Sequence, residues 1–305
     1  MPIDLPAAAS FMTTHARVLD RRRFAVRFAG AGPDGALGAL EGYRNADGGY
    51  GWGLEPDLRV PESQPGGALH AFEVFEDIAP STSPRAAGLC DWLGSVSHAD
   101  GGLPFVLPFG DAAGTAPWWA QADTRTSSLH ITAAVASRAH AVARHDPAVA
   151  SHPWLAGATR YCLDEMAARE RPRSTLELLF SLWLLDEIAD GEPAAAPLLE
   201  RLGAAIPPDG SLRVQGGAPD EYIRPLDFSP LPDRPVRRLL DPDAVAADLE
   251  RLAGRQGGDG GWDVDHTPNS PAAVLDWRGH ITVRTLAILQ ANGRLPEDGP
   301  LAFAG

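Results

Sequence analysis

Apolar positions along the chain recur with helical rather than strand spacing, and they fall into two kinds of segment. One kind keeps a charged or small polar face: "ALGALEGYR", "RAAGLCDWLGSV", "APLLERLGAAI" and "DAVAADLERLAGRQ". The other is apolar nearly all round: "GGALHAFEVFEDI", "SSLHITAAVASRAHAV", "STLELLFSLWLLDEI" and "GHITVRTLAILQANG". A one-sided apolar stripe marks a surface helix, whereas a helix apolar on every side must be buried. No stretch alternates with period two for long enough to predict a sheet. The pattern therefore predicts outer and inner helices in turn.

The two kinds are joined by a recurring turn. It reads "RNADGGYGW" around Asp47, "SHADGGLPF" around Asp100, "IPPDGSLRV" around Asp209 and "QGGDGGWDV" around Asp259. The intervals are 53, 109 and 50 residues. The middle one is two periods, which predicts a unit near residues 150–190 that has lost its turn. A period near fifty is the signature of a repeat architecture. Glycine accepts positive φ where the outer helix ends, and an Asp side chain satisfies the freed backbone N–H groups. These four Asp residues are accordingly expected to form turns. Outer and inner helices alternating in this way predict an all-α protein, an α/α barrel (toroid) of about six hairpin units forming one domain over residues 1–305.

Composition narrows the function. With 44% hydrophobic residues among 305, the chain can bury a substantial core. Its net charge of −14 argues against a nucleic-acid backbone or an anionic membrane as partner. All 26 basic residues are Arg, which removes Schiff-base chemistry and a P-loop lysine; together with abundant Ala, Gly and Pro this usage fits a GC-rich genome. Cys90 and Cys162 lie in helical apolar stretches and cannot supply a thiolate metal cluster. The longest apolar run, "LELLFSLWLLDEI", is too short to span a bilayer, and the first residues lack the apolar core of a secretory signal. The expected protein is soluble and cytoplasmic.

Gln256, Gly260 and Trp262 form Q-x-x-x-G-x-W. This resembles the repeat motif of squalene–hopene cyclases and related terpene cyclases, whose α/α barrel is shared by prenyltransferase β subunits. The other copies carry Arg44, Ser97 and Ile206 at the Gln position and Tyr50, Leu103 and Leu212 at the Trp position. In that family the motif ties neighbouring helices together, so the resemblance implies a fold before it implies a reaction. Many terpene cyclases pair two such domains, so a homodimer or a partner subunit is a further expectation. The zinc site of protein prenyltransferases combines Asp, Cys and His, and no Cys here lies in a turn-to-helix loop. The D-D-x-x-D pattern of diphosphate-ionising synthases is absent. The nearest approach to the D-x-D-D acid of class II cyclases is Asp263-Val264-Asp265-His266, with His in the last place.

Candidate chemistry concentrates in the long loops between each turn and its inner helix, and loops of that length are usually functional or disordered. Their aromatic content, with Trp118, Trp119, Tyr222, Phe228 and Trp277, speaks for order. His70, His130 and His280 stand at or near the start of three inner helices, the last two in a shared His-Ile-Thr, and Glu177 takes the same slot in "STLELL". Imidazole there could fix a loop, exchange protons or bind a metal; no closely spaced His pair favours a metal, so none is expected. Glu177 is the only charge on its helix face, with Arg173 one turn earlier as an available partner. Asp57 in "GLEPDLR" and Asp276 in "LDWRGH" complete the carboxylates, with an N-cap role open to Asp276.

Three functional readings follow. The first is a terpene cyclase-like isomerase or lyase acting on an isoprenoid-type small-molecule substrate. There Asp57, Asp265, Asp276, Glu177 or His280 would do proton chemistry, while His70, His130, Trp118, Trp119, Tyr222, Arg224, Trp277 and Arg278 would line the site, with no cofactor. It expects an apolar cavity. The second is an acid–base hydrolase or lyase acting on a polar, sugar-like substrate, which expects a polar cleft with acids about 5–10 Å apart. The third is a non-catalytic scaffold that binds a partner, for which the loop "LPFVLPFG" would have to be exposed, although the loop itself is expected to fold inward as cavity lining.

Overall fold

The computed structural model describes residues 3–217 and 221–295, in which helix is the main regular structure and strand is almost absent. In chain order the α-helices are α1 (Leu5–Thr14), α2 (Val18–Phe28), α3 (Asp34–Leu40), α4 (Pro65–Asp77), α5 (Pro84–Val96), α6 (Pro117–Ala120) and α7 (Leu129–Ala143). After these come α8 (Pro147–Ala150), α9 (Pro153–Ala167), α10 (Thr175–Ile188), α11 (Ala195–Gly203), α12 (Pro225–Phe228), α13 (Pro242–Ala253) and α14 (Pro271–Ala291). Among the described residues the strands are β1 (Leu212–Arg213) and β2 (Tyr222–Ile223), an antiparallel pair with Leu212 opposite Ile223. All eight helical segments read from the apolar pattern are present. Many begin with Pro in the first turn behind a capping residue, as in Ser83-Pro84, Asp146-Pro147, Asp241-Pro242 and Ser270-Pro271. Proline's fixed φ suits that position, and the N–H it lacks would have been unpaired there anyway.

The chain divides into two compact units, residues 40–205 and a second unit that joins residues 1–39 to 206–305. In the first, α7 packs against α4, α10 and α9, while α9 also meets α5 and α11. The helices read as inner are the more deeply buried: α10 buries Leu178, Leu179, Leu182, Leu184, Leu185 and Ile188, whereas α11 keeps one apolar stripe. The unit expected to lack its turn is the pair α9 and α10, joined by residues 168–174. In the second unit α14 packs against α1, α2 and α13.

The turn repeats in detail. Its carboxylate accepts the backbone N–H two residues on: Asp47 from Gly49 at 2.9 Å, Asp100 from Gly102 at 3.0 Å, Asp209 from Ser211 at 3.2 Å and Asp259 from Gly261 at 3.2 Å. The glycine directly after each Asp has positive φ, between 67° and 96°. At Gly260 a Cβ would also lie 2.2 Å from the Ala7 carbonyl, so α1 packs directly on this turn. Gln256 completes that junction: its Nε2 donates to the Asp4 and Gly260 carbonyls at 2.8 and 3.0 Å, and its Oε1 accepts from Asp4 N at 2.8 Å. Trp262 Nε1 donates to the Leu252 carbonyl at 2.8 Å. Every residue of Q-x-x-x-G-x-W thus holds backbone.

The shared His-Ile-Thr has its explanation here too. Thr132 Oγ1 accepts from Leu103 N at 2.8 Å, and Thr282 Oγ1 accepts from Trp262 N at 3.0 Å. Leu103 and Trp262 occupy the same place after their turns. It is the threonine of the triplet that secures the inner helix to the turn.

Candidate functional site

In the unit formed by the chain's two ends, a cavity of about 210 Å³ opens between the end of α13, one face of α14, the short α12 and the segment after the Asp259 turn. Trp277, Ile281, Arg284 and Ile288 follow one another at helical spacing along α14, which puts them on the same wall. Arg251 and Arg255, four residues apart, reach it from the end of α13. Asp265, Tyr222 and Trp277, three of the residues singled out from sequence, all line it.

Two carboxylates organise this wall. Asp248 is buried and accepts from Leu226 N at 3.0 Å and from Arg251 Nε at 2.7 Å, which joins α12 to α13. Asp227 accepts from Arg224 N at 3.0 Å, capping α12, and pairs with Arg284 at 3.2 Å. Burial raises the Asp227 carboxyl above its ordinary value, against the opposing pull of the Arg284 guanidinium and the Arg224 N–H. Its side chain nevertheless keeps 25% of its surface accessible, so a solute can reach it. Asp265 pairs with Arg255 and stands 3.6 Å from Arg251. His266 meets the Trp277 ring edge-on at 5.3 Å.

The other candidates in this unit lie deeper or are engaged elsewhere. Arg278 binds Asp259 with two nitrogens at 2.8 and 2.9 Å, pairs with Asp263, and lies 4.6 Å over the Phe11 ring. Arg224 sits 5.6 Å from the Tyr222 ring centre. The N-cap expected near Asp276 is Ser270, which accepts from Ala273 N. Ser270-Pro271 starts α14 earlier than the apolar pattern does, so Asp276 is in the second turn and His280 is the tenth residue of the helix. His280 is therefore not at a helix start. Its Nδ1 takes a hydrogen bond from Arg23 Nη1 at 3.0 Å, because arginine can only donate.

The remaining candidates belong to the unit of residues 40–205. His70 is buried between Glu55 (Nε2 to Oε2, 2.8 Å) and Glu73 (Nδ1 to Oε2, 2.9 Å). Burial alone would lower its pKa, but the Glu73 and Glu55 carboxylates more than offset this and raise it to about 9. His130 sits among rings, 5.1 Å from Phe105 and 4.8 Å from Phe180, and burial pushes its pKa down to about 4. Both follow a leucine near the start of an inner helix, yet their surroundings push the two pKa values in opposite directions. Trp119 stacks on Phe105 at 4.5 Å, while Trp118 is exposed. Asp57 is buried, and its carbonyl accepts from Ala116 N at 2.8 Å. Glu177 receives the backbone N–H of Arg173 at 2.9 Å and the Arg169 guanidinium at 3.5 Å, and its own N–H is capped by Ser174. It closes the start of α10, and its ionic partner is Arg169 rather than the expected Arg173 side chain. In "LPFVLPFG", Leu103, Pro104 and Val106 are buried, so the loop folds inward, as expected from the sequence, and does not present the apolar patch that the scaffold reading requires.

No protein-family model matches the chain, and no curated protein matches it. A solved structure described as a protein from Actinoplanes is similar in fold. It covers 94% of this chain and 89% of its own at 15% identity, with a TM-score of 0.53. That likeness speaks to the fold alone. Among the described residues no helix is long and apolar enough to cross a membrane.

Asp227, Arg251, Arg255 and Arg284 are the site residues that sequence reasoning missed. Arg284 had a legible signal: it is a charge on the apolar helix "GHITVRTLAIL", the same reasoning that singled out Glu177. Asp227 stood beside Arg224 in a loop already marked as functional. Nothing in the sequence separated Arg251 and Arg255 from the solvated face of an outer helix.

Proposed function

We propose that the cavity beside Asp227 is the working site and that the protein is an enzyme performing acid–base chemistry, of the hydrolase or lyase class, on a small polar substrate with a ring face. The observation that carries this reading is the wall itself. A reachable carboxyl, held above its ordinary pKa by burial, shares one cavity with Trp277, Tyr222 and three arginines. Perturbed carboxyls beside charged partners in a cleft are characteristic of acid–base sites. Here Asp227 is the proton donor or acceptor, Trp277 and Tyr222 offer flat surfaces to a sugar-like ring, and Arg284 steadies the Asp227 carboxylate when it forms. About 210 Å³ is below the roughly 300–1,000 Å³ typical of drug-sized ligands. A monosaccharide-sized group suits it better than a long isoprenoid, and the charged lining favours the polar reading over the terpene cyclase-like one. The finer architecture, an α/α barrel, is part of the same proposal; the repeated Asp-Gly turn and the outer–inner successions α3–α4, α5–α7 and α13–α14 support it, while the Asp209 turn leads to the short α12 in place of an inner helix.

The test incubates the full chain with p-nitrophenyl monosaccharides, with uronide disaccharides and, as comparison, with linear polyprenes and prenyl diphosphates. Nitrophenol release reports a hydrolase, and ultraviolet absorbance of an unsaturated sugar reports a lyase. Turnover of a sugar that Asp227→Asn abolishes is the expected result. Turnover of polyprenes alone, or sugar turnover unaffected by Asp227→Asn, overturns the reading.

A further inference from the structure

In that same cavity one carboxylate occupies a position that a ligand could take. Arg251 is oriented from behind by Asp248, which holds its Nε at 2.7 Å. Among the described residues its Nη1 has no hydrogen-bond partner, although Asp265 Oδ2 is 3.6 Å away. Arg255 pairs with the other oxygen of Asp265. Two guanidinium groups from one helix end thus flank a single carboxylate and leave donor capacity over. A guanidinium fork is matched to a carboxylate or phosphate, and Asp265 uses it incompletely.

Asp265 is not part of any regular element. It sits in residues 263–269, which contain no helix or strand and are held by the Trp262–Thr282 bond, the Asp263–Arg278 pair, the His266–Trp277 contact and the Ser270 cap. Moving it breaks ion pairs and no regular structure. Those pairs are partly solvated, with side-chain exposures of 27–37%, and such pairs contribute little. An incoming anion exchanges one carboxylate partner for another at small cost.

We propose that Arg251 and Arg255 form a receptor for an anionic group, a carboxylate or a phosphate, on the ligand of this cavity, and that Asp265 fills the receptor as an internal stand-in until the ligand displaces it. This rests on the cavity being the working site. It narrows the substrate class to an acidic, ring-bearing small molecule, with the ring toward Trp277 and Tyr222 and the acid group toward the end of α13.

Calorimetric titration of the full chain at low ionic strength tests it, with glucuronate, glucose 6-phosphate, inorganic phosphate and neutral glucose as probes. Glucuronate or glucose 6-phosphate is expected to bind while glucose binds at least tenfold more weakly, and the better of the two acids identifies the anion. Asp265→Asn removes the stand-in and should tighten acid binding about five- to tenfold. Arg255→Gln, at a partly exposed position outside α13, should abolish that binding without changing the circular dichroism. Equal binding of glucose and glucuronate, or no gain in Asp265→Asn, overturns the receptor. If glucose binds and Trp277→Ala abolishes its binding, the cavity assignment survives that failure. If no probe binds wild type or Asp265→Asn, both proposals fall. Binding of inorganic phosphate equal to that of the sugar acids would mean an adventitious ion only.

Discussion

The threonines of the two His-Ile-Thr segments provide the sharpest test of how the repeat is held. Thr132 and Thr282 are both fully buried, and each hydroxyl accepts one backbone N–H from the residue that follows a turn. Valine has nearly the same shape, so Thr132→Val leaves no cavity and isolates the hydrogen bond. The Leu103 N–H would then be buried without an acceptor, a loss of about 1–3 kcal/mol. The Thr132 hydroxyl also donates to the Ser128 carbonyl at 2.7 Å, but that carbonyl already accepts from the Thr132 N–H, so most of the cost falls on Leu103. For a unit the size of residues 40–205, roughly 2–4 °C is lost per kcal/mol. Urea unfolding followed by circular dichroism measures the whole effect, and hydrogen exchange at the Leu103 amide measures it locally. Thr132→Ser keeps the acceptor but removes a fully buried methyl group, so it should restore the protection of the Leu103 amide while recovering only part of the stability. A Thr132→Val protein as stable as wild type, with unchanged Leu103 protection, would refute the assignment. So would a serine variant whose Leu103 amide exchanges as fast as in the valine one. Thr282→Val is expected to reproduce the result at Trp262.

Three further outcomes follow from the same geometry. Gly260→Ala places a methyl group 2.2 Å from the Ala7 carbonyl at a φ of 93°, and should lower stability by more than about 2 kcal/mol in thermal unfolding. Folding raises the His70 pKa to about 9, so its contribution is complete below the unfolded value near 6.5 and fades as pH climbs through 9. The stability gap between wild type and His70→Gln, measured by urea midpoints at pH 6, 7.5 and 9.5, should shrink in that order. His130 and His140 are both pushed down to about 4, mainly by burial, so the unfolded chain takes up the extra protons and stability falls between pH 6.5 and 4. His130→Leu should flatten that part of the acid profile, and a profile as steep as wild type would count against the buried neutral imidazole.

The helices and turns were legible because they depend on local rules. Glycine after Asp and apolar spacing each act over a few residues, and both recur in the structure. Helix starts were legible only where the apolar run begins with the helix. In α14 the Ser270-Pro271 cap leads through exposed Val274 and Leu275, and so His280 was placed a helix start too late. The candidate site was half legible. Asp265, Tyr222 and Trp277 announced themselves by their loops, whereas Arg251 and Arg255 acquire meaning only once α13 ends beside α14. The contrast between His70 and His130 was only partly legible. Glu73, one helical turn after His70, was in view, whereas Glu55 lies fifteen residues before it and the rings around His130, Phe105 and Phe180, come from distant sequence.

The hydrogen bonds between Asp4 and Gln256 span 252 residues. A ribosome adding roughly 5–20 residues per second needs on the order of 13–50 s to make that stretch. Until then α1 can pack on α2, but the Asp259 turn and α14 that complete its seat have not been made. The nascent chain must therefore keep the apolar residues of α1 from finding another partner until the Asp259 turn has emerged.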